Sequence, residues 1–107
     1  MGSDDEDAGD HDRPLVLVVR GRLSPGAVDT LDARLRVRLA HTDAPTVLLD
    51  VAGIERPDAI AIDAVARLYL TARRAGRDLR LCNPTVELRE LLALAGLQDL
   101  CRVGGQP

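Results

Sequence analysis

Three carboxylates, Asp50, Asp58 and Asp63, fall close together in the sequence and could divide acid and base roles between them. Two hydroxyls, Ser24 and Thr85, stand at expected helix starts, where an added phosphate would meet unpaired backbone amides. Thr30, Thr42, Thr46 and Thr71 lie elsewhere. Two cysteines, Cys82 and Cys101, could carry redox chemistry, although their spacing fits no zinc motif. His41 is the one histidine outside the amino-terminal stretch that holds His11.

Each group also has a plainer role. Asp58 is placed to cap a helix, Asp63 sits on the solvent side of that helix's first turn, and Asp50 closes a strand. Ser24 and Thr85 fit capping regions, and His41 fits a helix end or the surface. No glycine-rich phosphate loop, nucleophile elbow or dinucleotide fingerprint occurs. We therefore expect no catalytic residues, no metal site and no cofactor, and we expect the protein not to be an enzyme.

Composition bounds the rest. A chain of 107 residues makes one domain. Hydrophobic residues make up 46% and aromatics 1%, so the core must be aliphatic. With Tyr69 the only aromatic, no base-stacking platform exists, and a net charge of −3 disfavours a nucleic-acid partner. The acids are unevenly placed. Asp4, Asp5, Glu6, Asp7, Asp10 and Asp12 hold six of the 17, which leaves 11 acids against 14 basic residues, all Arg. Residues 1–13 are expected to be a disordered acidic tail, able at most to hold a divalent ion weakly with His11. It lacks the basic and apolar regions of a signal peptide, and no apolar run approaches a membrane span. The expectation is a soluble, cytoplasmic domain over residues 14–103, with residues 104–107 a disordered carboxyl terminus.

The elements that must position the candidate groups follow from periodicity. "PLVLVVRGRL" reads as one bent strand, or two short ones paired around Arg20-Gly21. Ser24 and Pro25 open a helix with Val28, Leu31, Leu35 and Leu39 on one face and Arg34 and Arg38 toward solvent. "TVLLDV" is too short and too apolar for anything but a central strand. After the loop "AGIERP", a helix over about 59–75 is expected to bury some of Ile62, Val65, Ala66, Tyr69 and Ala72, with Gly76 as its left-handed stop. "LRLC" is the next strand. Asn83 and Pro84 look like a second helix start, with Val86, Leu91, Leu92 and Ala95 toward the core and Gly96 as the end. "LCRV" reads as a short last strand. The order β(β)αβαβαβ implies right-handed crossovers and an α/β domain, its mixed sheet mostly parallel, with the first strand or hairpin the candidate for an antiparallel one. Cys82 and Cys101 then lie at strand ends of opposite sense, about 10 Å apart at 3.3 Å per residue. A disulfide needs its Cα atoms within about 7 Å, so both thiols are expected to be small core hydrophobes.

The strings "VVRGRL", "LLDVAGIERPD" and "RRAGRDLRLCNPTVELRELLALAGLQDL" together resemble the STAS domain, the fold of anti-sigma factor antagonists, over roughly residues 14–103. The third string, a strand ending in Asn-Pro and then a helix closed by "LAGL", is the most specific. The spacing of Asp50 and Asp58 is the second mark. In that family the loop aspartate is followed by Ser or Thr, then Ser-Gly, and a partner anti-sigma factor that is also a kinase phosphorylates the hydroxyl. Here Asp58 matches the aspartate, while Ala59, Ile60 and Ala61 fall on the three following positions. The resemblance thus implies a protein-binding regulatory module without its phosphorylatable residue, either constitutive, regulated by another route or turned to a different partner. Its binding face would comprise Leu23, Ser24, the loop through Arg56 to Asp58, Ala59, Ile60 and Asp63, with Arg56 and Ile60 as anchors. Two other roles stay open: an accessory STAS subunit of a membrane transporter, attached without phosphorylation, and a small-ligand sensor.

Overall fold

Alternation in "LVLVVRG" makes a strand with one wet and one dry side. Leu15, Leu17 and Val19 are buried, while Val16, Val18 and Arg20 are exposed. The computed structural model describes residues 13–101, in the order β1 (Leu15–Gly21), α1 (Pro25–Leu39), β2 (Thr46–Ile54), α2 (Ala59–Arg74), β3 (Asp78–Cys82), α3 (Val86–Leu94) and a 3-10 turn at Gln98–Cys101. The expected acidic tail, apart from Arg13, and the expected carboxyl terminus lie outside the described residues. The strands form one sheet in the order β1-β2-β3 with β2 at its centre. Both pairings are parallel, as strand–helix–strand units require. Of the two readings of the first strand, the single bent one holds, and it runs parallel to β2.

In-register rows Leu15–Val47–Leu79 and Leu17–Leu49–Leu81 put all the buried strand positions on one face. Leu35 and Leu39 of α1, Val65, Leu68 and Ala72 of α2, and Leu88 and Leu92 of α3 join them in one aliphatic core. The other face carries Val16, Val18, Leu48, Asp50, Arg80 and Cys82 and is only half covered. The register breaks between Val18 and Arg20: Val18 faces Asp50 but Arg20 faces Gly53. The extra residue is a bulge in β2, so Ala52 and Gly53 are both exposed between buried Val51 and Ile54. Gly53 lets the strands approach closely there, because a Cβ would sit 3.1 Å from the Cγ of Arg20, tighter than ordinary contact. This bulge carries β2 on to Ile54, three residues past the expected strand end.

Parts of α2, α3 and the carboxyl-terminal segment differ from the sequence reading. Asn83 is not a cap but a left-handed turn residue at φ 59°, and α3 starts later, with the Thr85 hydroxyl accepting from the Leu88 amide at 3.2 Å. The later start rotates α3, so that Leu88 is buried, Leu91 is half-buried and Val86 is 67% exposed. Ala95 is also exposed. In α2 the core stripe is Ala61, Ala64, Val65, Leu68 and Ala72, with Ile62 and Tyr69 packing from its rim. Leu100 and Cys101 do not begin a strand. Gly96 at φ 78° ends α3, and a tight turn, with the Leu100 amide bonded to the Leu97 carbonyl at 3.1 Å, folds Leu100 into the core. The proposed remainder of that strand, Arg102 and Val103, lies outside the described residues. Cys101 is consequently in a turn; it and Cys82 are both half-buried and free.

A candidate docking face at the helix starts

Parallel crossovers bring the carboxyl ends of β1 and β2 to the same side of the sheet, where α1 and α2 begin. The Glu55 amide donates to the Gly21 carbonyl at 2.9 Å and ties the two connecting loops together. Arg56 follows, exposed and left-handed at φ 50°. Asp58 is extended, and its Oδ1 accepts from the amides of Ile60 at 3.0 Å and Ala61 at 3.2 Å. One carboxylate therefore satisfies two of the donors that every helix start leaves open, worth about 1 kcal/mol. Ala59 is the first helical residue and is exposed, so its methyl stands at the mouth of the helix. Ser24 caps α1 in the same way, accepting from the Ala27 amide at 3.2 Å, and Pro25 takes the first helical position.

Between the two helix starts runs a groove of about 430 Å³ with walls of Pro25, Val28, Ile60, Ala66 and Leu70. Leu70 is 48% exposed. Asp29, Asp63 and Arg67 line the same groove. Of the residues singled out from sequence, Ile60 and Asp63 share this groove, and Ser24, Asp58 and Ala59 flank it in the chain. Ile60 is half-buried, less open than an exposed anchor. Leu23 is also partly buried and packs against the core, so it supports the face from beneath. Asp50 does not meet Asp58: its Oδ1 accepts from the Ala52 amide at 3.1 Å, within its own strand. His41 turns its Nδ1 to the Val37 carbonyl at 2.8 Å at the end of α1.

Sequence reasoning missed the polar seam behind this groove. Asp32 is 2% exposed, yet it is a carboxylate in the contact between α1 and α2. The Thr71 hydroxyl donates to Oδ1, and Oδ2 takes Nε of Arg36 at 3.1 Å and Nε of Arg67 at 3.5 Å. Arg67 also donates to Asp29, and that hydrogen bond is the chief reason its pKa lies above the ordinary guanidinium value. A signal existed: Val28, Asp32, Leu35 and Leu39 follow the four-three-four spacing of a buried stripe. Arg77 was likewise missed. Its guanidinium donates to the carbonyls of Leu39, Thr42 and Ala44 at 3.2, 2.8 and 2.9 Å, closing the end of α1 onto the start of β2.

Burial raises the pKa of both Cys82 and Cys101; the charge of Asp50 adds to the first, and Arg89 offsets the second. Both thiols therefore stay protonated at neutral pH and are poor nucleophiles. Among the described residues no group of three or more His, Cys, Asp or Glu converges as metal ligands, and no helix is long and apolar enough to cross a membrane. The arrangement is an apolar cleft with acidic and basic side chains along it, between two capped helix starts.

Comparison with known proteins agrees with this geometry. The family model described as "Mlab, STAS domain" matches residues 7–102. Among solved structures, that of the anti-sigma factor antagonist SpoIIAA in its unphosphorylated form aligns with a TM-score of 0.66, at 18% identity, over 79% of this chain and 74% of that one. No curated protein sequence matches significantly. At that identity the structural likeness speaks for the fold.

Proposed function

Since this chain belongs to the STAS family, we propose that it is a protein-docking regulatory module of the anti-sigma factor antagonist kind, permanently in its binding-competent form. The observation that carries this reading is Ala59: an exposed methyl at the first helical position, after an Asp58 that still caps the helix. A phosphate at that position would add nearly two negative charges at the rim of the groove. Alanine offers no oxygen to accept one. The partner is a protein, an anti-sigma factor with kinase activity being the first candidate, and it engages Arg56, Asp58, Ala59, Ile60 and Asp63, with Ser24 and Leu23 at the margin. The module acts by occupancy and catalyses nothing.

The same methyl favours a second reading, an accessory subunit of a membrane transporter that needs no phosphorylation to stay attached. Titration calorimetry against the cognate kinase-type anti-sigma factor separates the two. The first reading expects binding that ATP leaves unchanged, at least tenfold weaker with Ile60→Glu. Ala59→Ser should then make binding ATP-sensitive. Absence of binding to any such factor encoded in the same genome, with retention on the transporter's ATPase, would replace the first reading with the second.

A further inference from the structure

The loops at the carboxyl ends of β1 and β2 gather positive charge. The hydrogen bond from the Glu55 amide to the Gly21 carbonyl ties them together, and Arg22 and Arg56 are the next residues in the two loops, so their backbones lie side by side. Arg20 joins them from β1. It is in register with Gly53, and its stem lies where a Gly53 side chain would stand. All three arginines are exposed. Among the described residues no hydrogen bond, ion pair or ring contact holds any of the three guanidinium groups. Of the two acids in the second loop, Asp58 is occupied by the Ile60 and Ala61 amides, so Glu55 stands alone against three positive charges. Arg56 is also strained. Its φ of 50° is a left-handed conformation that glycine adopts freely and a side-chain-bearing residue does not. The fold gains nothing from a guanidinium at that position.

We propose that Arg20, Arg22 and Arg56 form a site for a phosphoryl group carried on a side chain of the docking partner. Charge and donor geometry select this anion. A carboxylate is satisfied by one guanidinium in a two-pronged pair, whereas a phosphate monoester brings nearly two negative charges and three acceptor oxygens. Three planar, fork-shaped donors match the second and exceed the first. A dianion between them also relieves the repulsion of three like charges held at one tip. The neighbouring start of α2 cannot supply the group, because Ala59 has no hydroxyl, so it comes from another molecule. Strain kept at Arg56 fits a residue used for binding, since such conformations gather where a ligand is held. The module thereby reads the phosphorylation of its partner and not its own. The inference rests on the docking reading for the source of the phosphate alone, and the site can be measured with no partner present.

The test follows amide and arginine Nε resonances of the full chain during titration with O-phosphoserine, then with inorganic phosphate and with serine, at one ionic strength. We expect saturable displacement at Arg20, Arg22 and Arg56 and at the Glu55 amide with both phosphates and none with serine, half-complete at about 1–10 mM. Arg73 and Arg74, at the opposite end of α2, should stay unmoved. R22Q/R56Q should raise the half-saturation concentration at least about tenfold, because two charge-assisted contacts are lost. Arg56→Gly separates binding from structure: it should raise the melting temperature by relieving the left-handed strain, yet weaken phosphate binding about tenfold. Non-saturating shifts of equal size at Arg73 and Arg74 overturn the proposal, since they report general screening. Saturation that survives in R22Q/R56Q, or Arg56→Gly with unchanged affinity, overturns it as well. Against an identified partner, R22Q/R56Q should weaken binding of the phosphorylated form alone. Equal loss for both forms would remove the phosphate site and leave the docking face standing, whereas wild-type protein that binds phosphate but no such partner would do the reverse.

Discussion

Asp32→Ala tests whether the buried seam joins α1 to α2 behind the groove. The substitution removes the acceptor of the Thr71 hydroxyl, a group in a side chain only 8% exposed. An orphaned buried hydroxyl costs about 1–3 kcal/mol. The two arginines add less, because Arg36 and Arg67 are 63% and 46% exposed and can turn to water. The sum is about 2–3 kcal/mol, or a fall in Tm of about 10–20 °C for a domain of this size. Two-state urea or thermal unfolding followed by circular dichroism measures it. Thr71→Val in the wild-type background should cost about 1 kcal/mol by removing a donor to the carboxylate. In the Asp32→Ala background it should cost nothing or regain up to about 1 kcal/mol, since it removes the orphaned hydroxyl, so the double-mutant cycle should return about 1–2 kcal/mol of coupling. An Asp32→Ala penalty under 0.5 kcal/mol, or strictly additive effects, would refute the view that Asp32 and Thr71 join α1 to α2.

Asp58→Ala leaves the Ile60 and Ala61 amides without their shared acceptor and should cost about 1 kcal/mol in the same unfolding assay; Asp58→Ser should recover most of it. Arg77→Ala opens three carbonyls at once, and about 2 kcal/mol should be lost, with faster amide exchange at residues 39–46 than elsewhere. Cys82 and Cys101 hold their protons in the fold, so they should react with iodoacetamide at pH 8 more slowly than free cysteine and reach its rate only in denaturant. The same raised values make folding stability insensitive to these thiols below the ordinary thiol range. Above it, stability falls as pH climbs through the raised values, because the unfolded chain releases its protons first.

What could be read from the sequence was what a short stretch decides for itself. Ser24-Pro25, Asp58 and Gly76 behave as their local chemistry dictates, and the central place of β2 follows from an apolar run too short for a helix. The errors arose where a local rule met a tertiary competitor. Asn83-Pro84 is a good helix start in isolation, but Thr85 offers a hydroxyl cap two residues on, and the later start buries Leu88. The "LCRV" run has the composition of a strand, yet a turn after Gly96 carries Leu100 into the core sooner. The stripe spacing marked Asp32 as a buried position, but its partner Thr71 is 39 residues away and no local pattern pairs the two. Only the packing of two helices makes a carboxylate tolerable in that stripe.

The presence of Asp58 before Ala59 is explained by its work as a cap. Its carboxylate occupies the two amides that a phosphate at a helix start would otherwise seek. Any side chain that replaced it would have to satisfy the same donors, whatever stands at position 59. The hydroxyl is under no such constraint: Ala59 is exposed, helix-favouring and unconnected to the core. A hydroxyl at position 59 would therefore add nothing to the fold, whereas loss of the aspartate would fray the first turn of α2 and with it the Ile60 wall of the groove. The presence of Asp58 is thus accounted for by the fold and says nothing about phosphorylation, so Ala59→Ser and Asp58→Ala must affect different quantities. The first should change how binding responds to ATP at unchanged stability, and the second should lower stability and binding together.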